Sequence, residues 1–253
     1  LPIVLNSKPM IHDCAITNNY VLIFDLPVTF NTSRRNKDEN ASDYPVVWDD
    51  NYSSRLGLLN RNTNEIKWIE VPNCFLFHVV NSYEDSSGKV ILDFCRYDKL
   101  FDFNNPLPFG KKPFLTRWEI DIVKETCVEK LLDDRPMEFA RIHPDLEGKE
   151  YRFSYILNDG ALNNLFKYDF LKDRNEVHHL GEHKKGAEPV FIPKIDQTSE
   201  DSGYVVGFVY DQEVDKSEFI IIDAENFSEE PLARIQLPSR VPFGFHGSWI
   251  NLD

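Results

Sequence analysis

The feature that most limits what this chain can fold into is the spacing of its apolar residues, which alternate at every second position in run after run. YVLIFDL from Tyr20, SRLGLLN from Ser54, EIKWIEV from Glu65, KVILDFC from Lys89 and FLTRWEIDI from Phe114 are of this kind. So are YRFSYIL from Tyr151, LFKYDFL from Leu165, YVVGFVYD from Tyr204 and EFIIIDA from Glu218. A period of two, or a short continuous apolar run, describes an extended segment with one or both faces buried. Turn-forming clusters such as NRNTNE, SSGK and LNDG bound the runs. Amphipathic helical patterning of useful length is nearly absent, so the fold class is all-β.

The strands follow one another in a repeating order. In YRFSYILNDGALNNLFKYDFLKDRNEVHHL, three strands and two turns succeed each other, and GYVVGFVYDQEVDKSEFIIIDAENFSEEPLARIQL does the same. A further short strand stands before each, MEFARIH and AEPVFIP. Four-stranded meanders recurring at roughly 40 to 50 residues or more mark propeller blades. Applied to residues 1–253, the pattern predicts about five innermost strands: MIHDCAIT, CFLFHVV, MEFARIH, EPVFIP and GFHGSWI. Two stretches interrupt it, the polar segment from Asn31 to Tyr52 and FDFNNPLPFGKKP from Phe101. They read as surface excursions, or as caps over a substrate entrance.

With 253 residues an all-β chain can form a single domain. No uninterrupted apolar run is long enough to span a membrane. The formal net charge of −14 argues against a nucleic-acid partner, because phosphate binding needs clustered Lys and Arg. Cys14, Cys74, Cys95 and Cys127 lie far apart without C-x-x-C spacing, which points to reduced thiols and a cytoplasmic location. The chain starts at Leu1 with neither initiator Met nor signal-peptide core, as a piece of a longer polypeptide would. Nucleophile-elbow, P-loop, dinucleotide and H-E-x-x-H motifs are missing from the sequence.

Each predicted innermost strand carries one residue able to bind or support a metal. These are His12, His78, Glu138, Glu188 and His246, spaced between 50 and 66 residues apart, one per blade. Three imidazoles suit a first-row transition metal, with iron, zinc and copper all compatible. The two carboxylates could accept the second ring N–H of neighbouring histidines and so orient them. His78 in CFLFHVV and His246 in PFGFHGSW sit in apolar contexts that disfavour an unpartnered imidazole. His178, His179 and His183, in EVHHLGEHKKG, read as surface residues at a strand end and turn, and His143 before Pro144 as structural.

Taken in order, PMIHDCAITNNYVLIFDLPVTF, FHVVNSYED, EFARIHP, AEPVFIPK and VPFGFHGSWI resemble the carotenoid cleavage oxygenases. That family includes apocarotenoid and stilbene oxygenases and the retinoid isomerase of the retinal pigment epithelium. The resemblance implies a seven-bladed β-propeller, of which about five blades are present in 1–253 as the C-terminal part of one oxygenase domain. It implies an axial Fe(II) held by four histidines, and places His12, His78 and His246 among them. It also makes Glu138 the partner of His78 and Glu188 the partner of His246.

The family's first iron histidine and its remaining glutamate should lie upstream of His12, so the expected chain by itself carries an incomplete, inactive iron site. Cys14 stands where the family more often has a bulky aromatic. The implied reaction is cleavage of a conjugated C=C bond of a carotenoid or apocarotenoid by O2 into two carbonyl products. A dry apolar tunnel would hold the polyene, with Phe75, Phe77 and Phe243 as candidate lining residues. Stilbene cleavage is the alternative within the family, a non-oxidative isomerase has no residue here to single it out, and a catalytically silent propeller scaffold is the alternative outside enzymes. A lipophilic substrate makes peripheral membrane contact plausible, with FNNPLPFG as the candidate loop.

Overall fold

Alternation in the sequence becomes pairing in the structure, a computed structural model that describes residues 1–30, 44–103 and 112–250. Most of both interrupting segments, including nearly all of the FNNPLPFG loop, lies outside the described residues. Apart from a 3-10 turn at Pro144–Leu146, every regular element among the described residues is a β-strand, so the all-β class holds. The chain divides into two compact units, Leu1–Asp134 and Arg135–Asp253.

The first unit contains β1 (Ala15–Ile16), β2 (Tyr20–Asp25), β3 (Val28–Phe30), β4 (Val46–Trp48), β5 (Arg55–Asn60) and β6 (Ile66–Glu70). These are followed by β7 (Phe75–Glu84), β8 (Val90–Tyr97), β9 (Phe114–Asp121) and the first part of β10 (Thr126–Arg141). Strands β1-β2-β5-β6 form one antiparallel sheet, β3 pairs with β4, and β7-β8-β9 form a meander that continues into β10. Leu22 and Phe24 sit opposite Leu58 and Leu56, and Leu92 opposite Trp118. All six are buried in one apolar cluster. Gly57 is opposite Trp68, and a Cβ there would lie 2.7 Å from the indole ring. The missing side chain lets the ring cross the strand, with the Arg55 guanidinium 3.9 Å above it.

The second unit takes the remainder of β10, then β11 (Phe153–Asn158), β12 (Asn164–Asp169), β13 (Arg174–His179), β14 (Lys184–Gly186) and β15 (Val190–Pro193). It ends with β16 (Gly203–Asp211), β17 (Lys216–Asp223) and β18 (Ala233–Gln236). Here β10-β11-β12-β13 form one meander and β15-β16-β17-β18 another, with β14 also pairing β16. Tyr155, Leu165, Phe191, Val205, Ile222 and Phe227 belong to its core.

Two of the five predicted innermost strands are shorter or absent. Residues 75–80 of CFLFHVV lie in β7 and residues 137–141 of MEFARIH in β10, and EPVFIP contributes β15 with Glu188 just ahead of it. MIHDCAIT keeps only Ala15–Ile16 as strand, and GFHGSWI forms none. In the first case Asp13 captures backbone N–H groups that a ladder would use, and in the second Pro242, Gly244 and Gly247 supply little to pack or pair. The reading of His178 as a surface residue is also corrected. Alternation along β13 turns His178 inward, where it is 3% exposed, and His179 outward.

Candidate functional site

In the first unit, His12 lies on the irregular stretch before β1 and His78 within β7. Their rings meet edge to face at 5.5 Å between centroids. Phe77 packs edge-on against His12 at 5.0 Å. Phe77 meets Phe75, Tyr97 and Phe101 in turn. The local cause is a pair of irregularities in β7. The register with β8 slips between Leu76 and Val79 and again between Val79 and Asn81, inserting extra residues around His78. Such bulges re-aim side chains that a regular strand would hold in strict alternation.

Asp13 ties the two histidine segments together. Its Oδ2 accepts the Val79 N–H at 2.9 Å and its Oδ1 accepts the Cys14 N–H at 2.7 Å. Asp13, the residue after His12, is thereby tied to the backbone of Val79, the residue after His78. Phe75 is buried in the cluster with Val28, Val46, Tyr97 and Leu100, while Phe77 is half-buried beside the rings. Of the two candidate lining residues in this unit, only Phe77 touches the histidines.

In the second unit, His246 lies on the irregular stretch near the C-terminus. Its Nδ1 is 3.2 Å from Glu188 Oε1, so the sequence-predicted pair is brought together. Glu188 is 7% exposed and Oε2 also accepts the Gly247 N–H at 2.8 Å. Arg141 flanks the same carboxylate, with Nε 2.9 Å from Oε1 and Nη2 donating to Oε2 at 3.0 Å. Glu138 is buried on β10, at a bulge where the register with β11 slips between Glu138 and Arg141. The intervening Phe139 takes a left-handed φ of 57°, its N–H donates to Glu138 Oε2 at 2.8 Å, and its ring lies 6.0 Å from His246.

A mostly apolar cavity of about 370 Å³ opens in this unit. Leu157, Leu162, Val190, Val206 and Phe219 line it, with Glu188 and His246 on its wall. Phe243 also lines it, though 59% exposed and edge-on to Tyr210 at 5.6 Å.

The remaining histidines have other partners. His143 Nδ1 accepts the Asp145 N–H at 3.2 Å and Nε2 is 3.1 Å from Gln197, a turn-capping role in line with its structural reading. Buried His178 sets Nδ1 3.1 Å from the Phe227 carbonyl, and burial pulls its pKa below the ordinary imidazole value. His179 and His183 are exposed. Sequence reasoning missed Asp13 and Arg141. The H-D dipeptide was the available signal for the first. The second had none, because a bulge resets alternation and hides which side chains share a face.

A family model described as retinal pigment epithelial membrane protein matches residues 1–251. The chain is 28% identical to the carotenoid cleavage oxygenase of Mycobacterium tuberculosis, over 96% of this chain and 58% of that protein. It is 30% identical to carotenoid 9,10(9',10')-cleavage dioxygenase 1 of Phaseolus vulgaris, over 99% of this chain and 50% of that protein. Among solved structures, cobalt-substituted Synechocystis apocarotenoid oxygenase matches with a TM-score of 0.87 at 28% identity, over 96% of this chain and 53% of that one. The chain thus spans about half the length of the curated relatives it matches.

Proposed function

Because the chain belongs to the retinal pigment epithelial membrane protein and carotenoid cleavage oxygenase family, we propose that its protein is an Fe(II)-dependent dioxygenase. It cleaves a conjugated C=C bond of a carotenoid or apocarotenoid with O2 into two carbonyl products. His12, His78 and His246 are the ligands this chain contributes. The observation that carries the reading is the Glu188–His246 contact in the second unit, 3.2 Å from Oε1 to Nδ1. A metal-binding imidazole needs its second nitrogen engaged so that the tautomer and ring plane are fixed.

The donor chemistry fits the metal. Imidazole nitrogens suit first-row ions, and a relative was solved in cobalt-substituted form. When bound, the iron supplies open coordination positions for activating O2. The chain's own residues do the rest. Glu188 Oε1 holds the proton of His246 at Nδ1, leaving Nε2 as the ligating atom. Phe77 fixes the plane of His12 by edge contact, and the edge-to-face packing of His12 on His78 orients the second ring. Apolar cavity walls beside His246 exclude water and suit a polyene better than a polar substrate. The relatives named above act on carotenoids or apocarotenoids by name, which favours a polyene over a stilbene.

The test is O2-dependent bleaching of an all-trans apocarotenal by the iron-loaded protein, followed by absorbance, with His246→Ala as control. Bleaching and bound iron should both be lost in the variant. Undiminished bleaching in His246→Ala, or bleaching that proceeds without O2, overturns the reading.

A further inference from the structure

The stretch that carries His246 has no strand to hold it. No residue from 241 to 250 is in a strand. Phe243, Phe245 and Trp249 are exposed, and a Cβ built on Gly244 meets nothing within 4 Å. Yet a ligating imidazole has to be held to within a fraction of an ångström. Backbone pairing does not supply that precision here, so side chains must.

The attachments converge on one carboxylate and one guanidinium. Val241 N–H donates to Ser217 Oγ at 2.9 Å at the start of the stretch. Around the histidine, Glu188 takes the Gly247 N–H and faces His246 Nδ1. Arg141 Nη2 donates to Glu188 Oε2 at 3.0 Å and to the Gly247 carbonyl at 3.1 Å, while its Nε lies 2.9 Å from Glu188 Oε1 as an ion-pair contact without a hydrogen bond. Arg141 therefore touches both the carboxylate that faces His246 and the backbone that follows it. A planar guanidinium holds its N–H groups in fixed directions, here toward both Glu188 and the Gly247 carbonyl, which a freely rotating ammonium does not. Its own placement comes from the bulge in β10, where the extra residue between Glu138 and Arg141 resets side-chain alternation.

We infer that Arg141 is a positioning residue for His246, acting through Glu188 and Gly247. This deepens the metal reading and rests on it only for the claim that His246 is a ligand. Without Arg141, Glu188 keeps a buried charge with no cation beside it, and the Gly247 carbonyl loses a donor. The carboxylate then has reason to turn toward water, and the tautomer of His246 is no longer imposed.

The first test needs no metal. Hydrogen exchange at the Gly247 amide and the ¹⁵N side-chain signals of His246 are compared in wild type, Arg141→Met and Arg141→Lys. Arg141→Met should speed Gly247 exchange by about ten- to a hundred-fold, as loss of a charge-assisted hydrogen bond would. It should also replace the Nδ1–H signal with a tautomer average, while Val205 and Ile222 in β16 and β17 keep their protection. Arg141→Lys should fall between, since it keeps the charge and loses the fork. Unchanged Gly247 exchange and an unchanged tautomer in Arg141→Met overturn the inference. If that variant loses protection throughout β16 and β17, Arg141→Lys decides: faster exchange confined to 241–250 upholds the role, and wild-type exchange overturns it.

Cobalt(II) titration separates this inference from the function proposed above. Arg141→Met should bind cobalt about ten- to a hundred-fold more weakly than wild type. Equal affinity overturns the positioning role. A wild-type protein that binds no cobalt overturns the ligand assignment itself.

Discussion

At the scale of the residue, chemistry was legible where residue type clashed with context. His78 among FLF and VV, and His246 between phenylalanines and glycines, stand out because an imidazole in apolar company needs a partner. Glu188 answers for His246 at 3.2 Å. Asp13 and Arg141 did not stand out, because a surface-looking charge reveals its work only when the backbone it binds is known. Asp13 accepts two N–H groups from positions far apart in sequence, Cys14 and Val79. Asp13→Ala should leave the Val79 donor without that partner and destabilise the first unit by about 1 to 3 kcal/mol. A lower urea midpoint together with weaker cobalt binding is the expected result. A midpoint and cobalt affinity equal to wild type would remove Asp13 from the description.

At the scale of the element, period-two alternation located the strands because burial of one sheet face imposes it. The segments around His12 and His246 escaped that logic. Their backbones are held by side chains of Asp13, Glu188 and Arg141, and side-chain-to-backbone bonds have no period. Close strand contacts make a sharper prediction. Gly203 at the start of β16 faces Pro193, and a Cβ there would lie 2.4 Å from the Phe191 ring and 2.6 Å from the Ile192 carbonyl oxygen. The carbonyl is part of the ladder and cannot move aside, so Gly203→Ala should cost about 1 to 3 kcal/mol, read from chemical denaturation.

The end of β12 carries a pH dependence. Arg152 donates from Nε and Nη2 to the two oxygens of Asp169, at 2.9 and 2.8 Å, and that hydrogen-bonded guanidinium holds the carboxyl below its ordinary pKa. A carboxylate whose folded pKa is depressed contributes stability at pH above the unfolded value. That contribution is lost as pH falls through the lower folded one. Asp169→Asn should therefore lower stability at neutral pH and flatten the acid limb of a stability-versus-pH curve. An acid limb as steep as wild type would contradict the assignment.

At the scale of the whole molecule, charge excludes more than it specifies. The chain has 28 Lys and Arg against 42 Asp and Glu, and several of the cations are committed to internal pairs. Arg55 meets Asp25, Arg117 meets Asp93, and Lys167 meets Asp201. Labelled duplex DNA should show no anisotropy change with added protein at roughly physiological salt, since binding depends on displacing counterions with basic side chains. Salt-sensitive binding would contradict that expectation. Five ordered motifs were enough to place the chain in its family, and the family model extends across residues 1–251. Blade number was less legible: alternation reports which face of a strand is covered, whereas closing a ring depends on how successive sheets meet. Among the described residues no helix is long and apolar enough to cross a membrane.

Glu188 is used to capacity. Its two oxygens meet His246 Nδ1, the Gly247 N–H and Arg141 Nη2 at hydrogen-bond distance, with Arg141 Nε beside Oε1 as an ion-pair contact, which leaves little of the carboxylate's lone-pair capacity unused. Aspartate is a methylene too short for the set, and glutamine would turn an N–H₂ toward donors. For protein engineering, position 188 is a single-solution site. A saturation library there should collapse onto glutamate under selection for cobalt retention, while one at the exposed Phe245 should stay diverse. Retuning this edge for another ion means leaving that glutamate alone and varying the cavity wall around it.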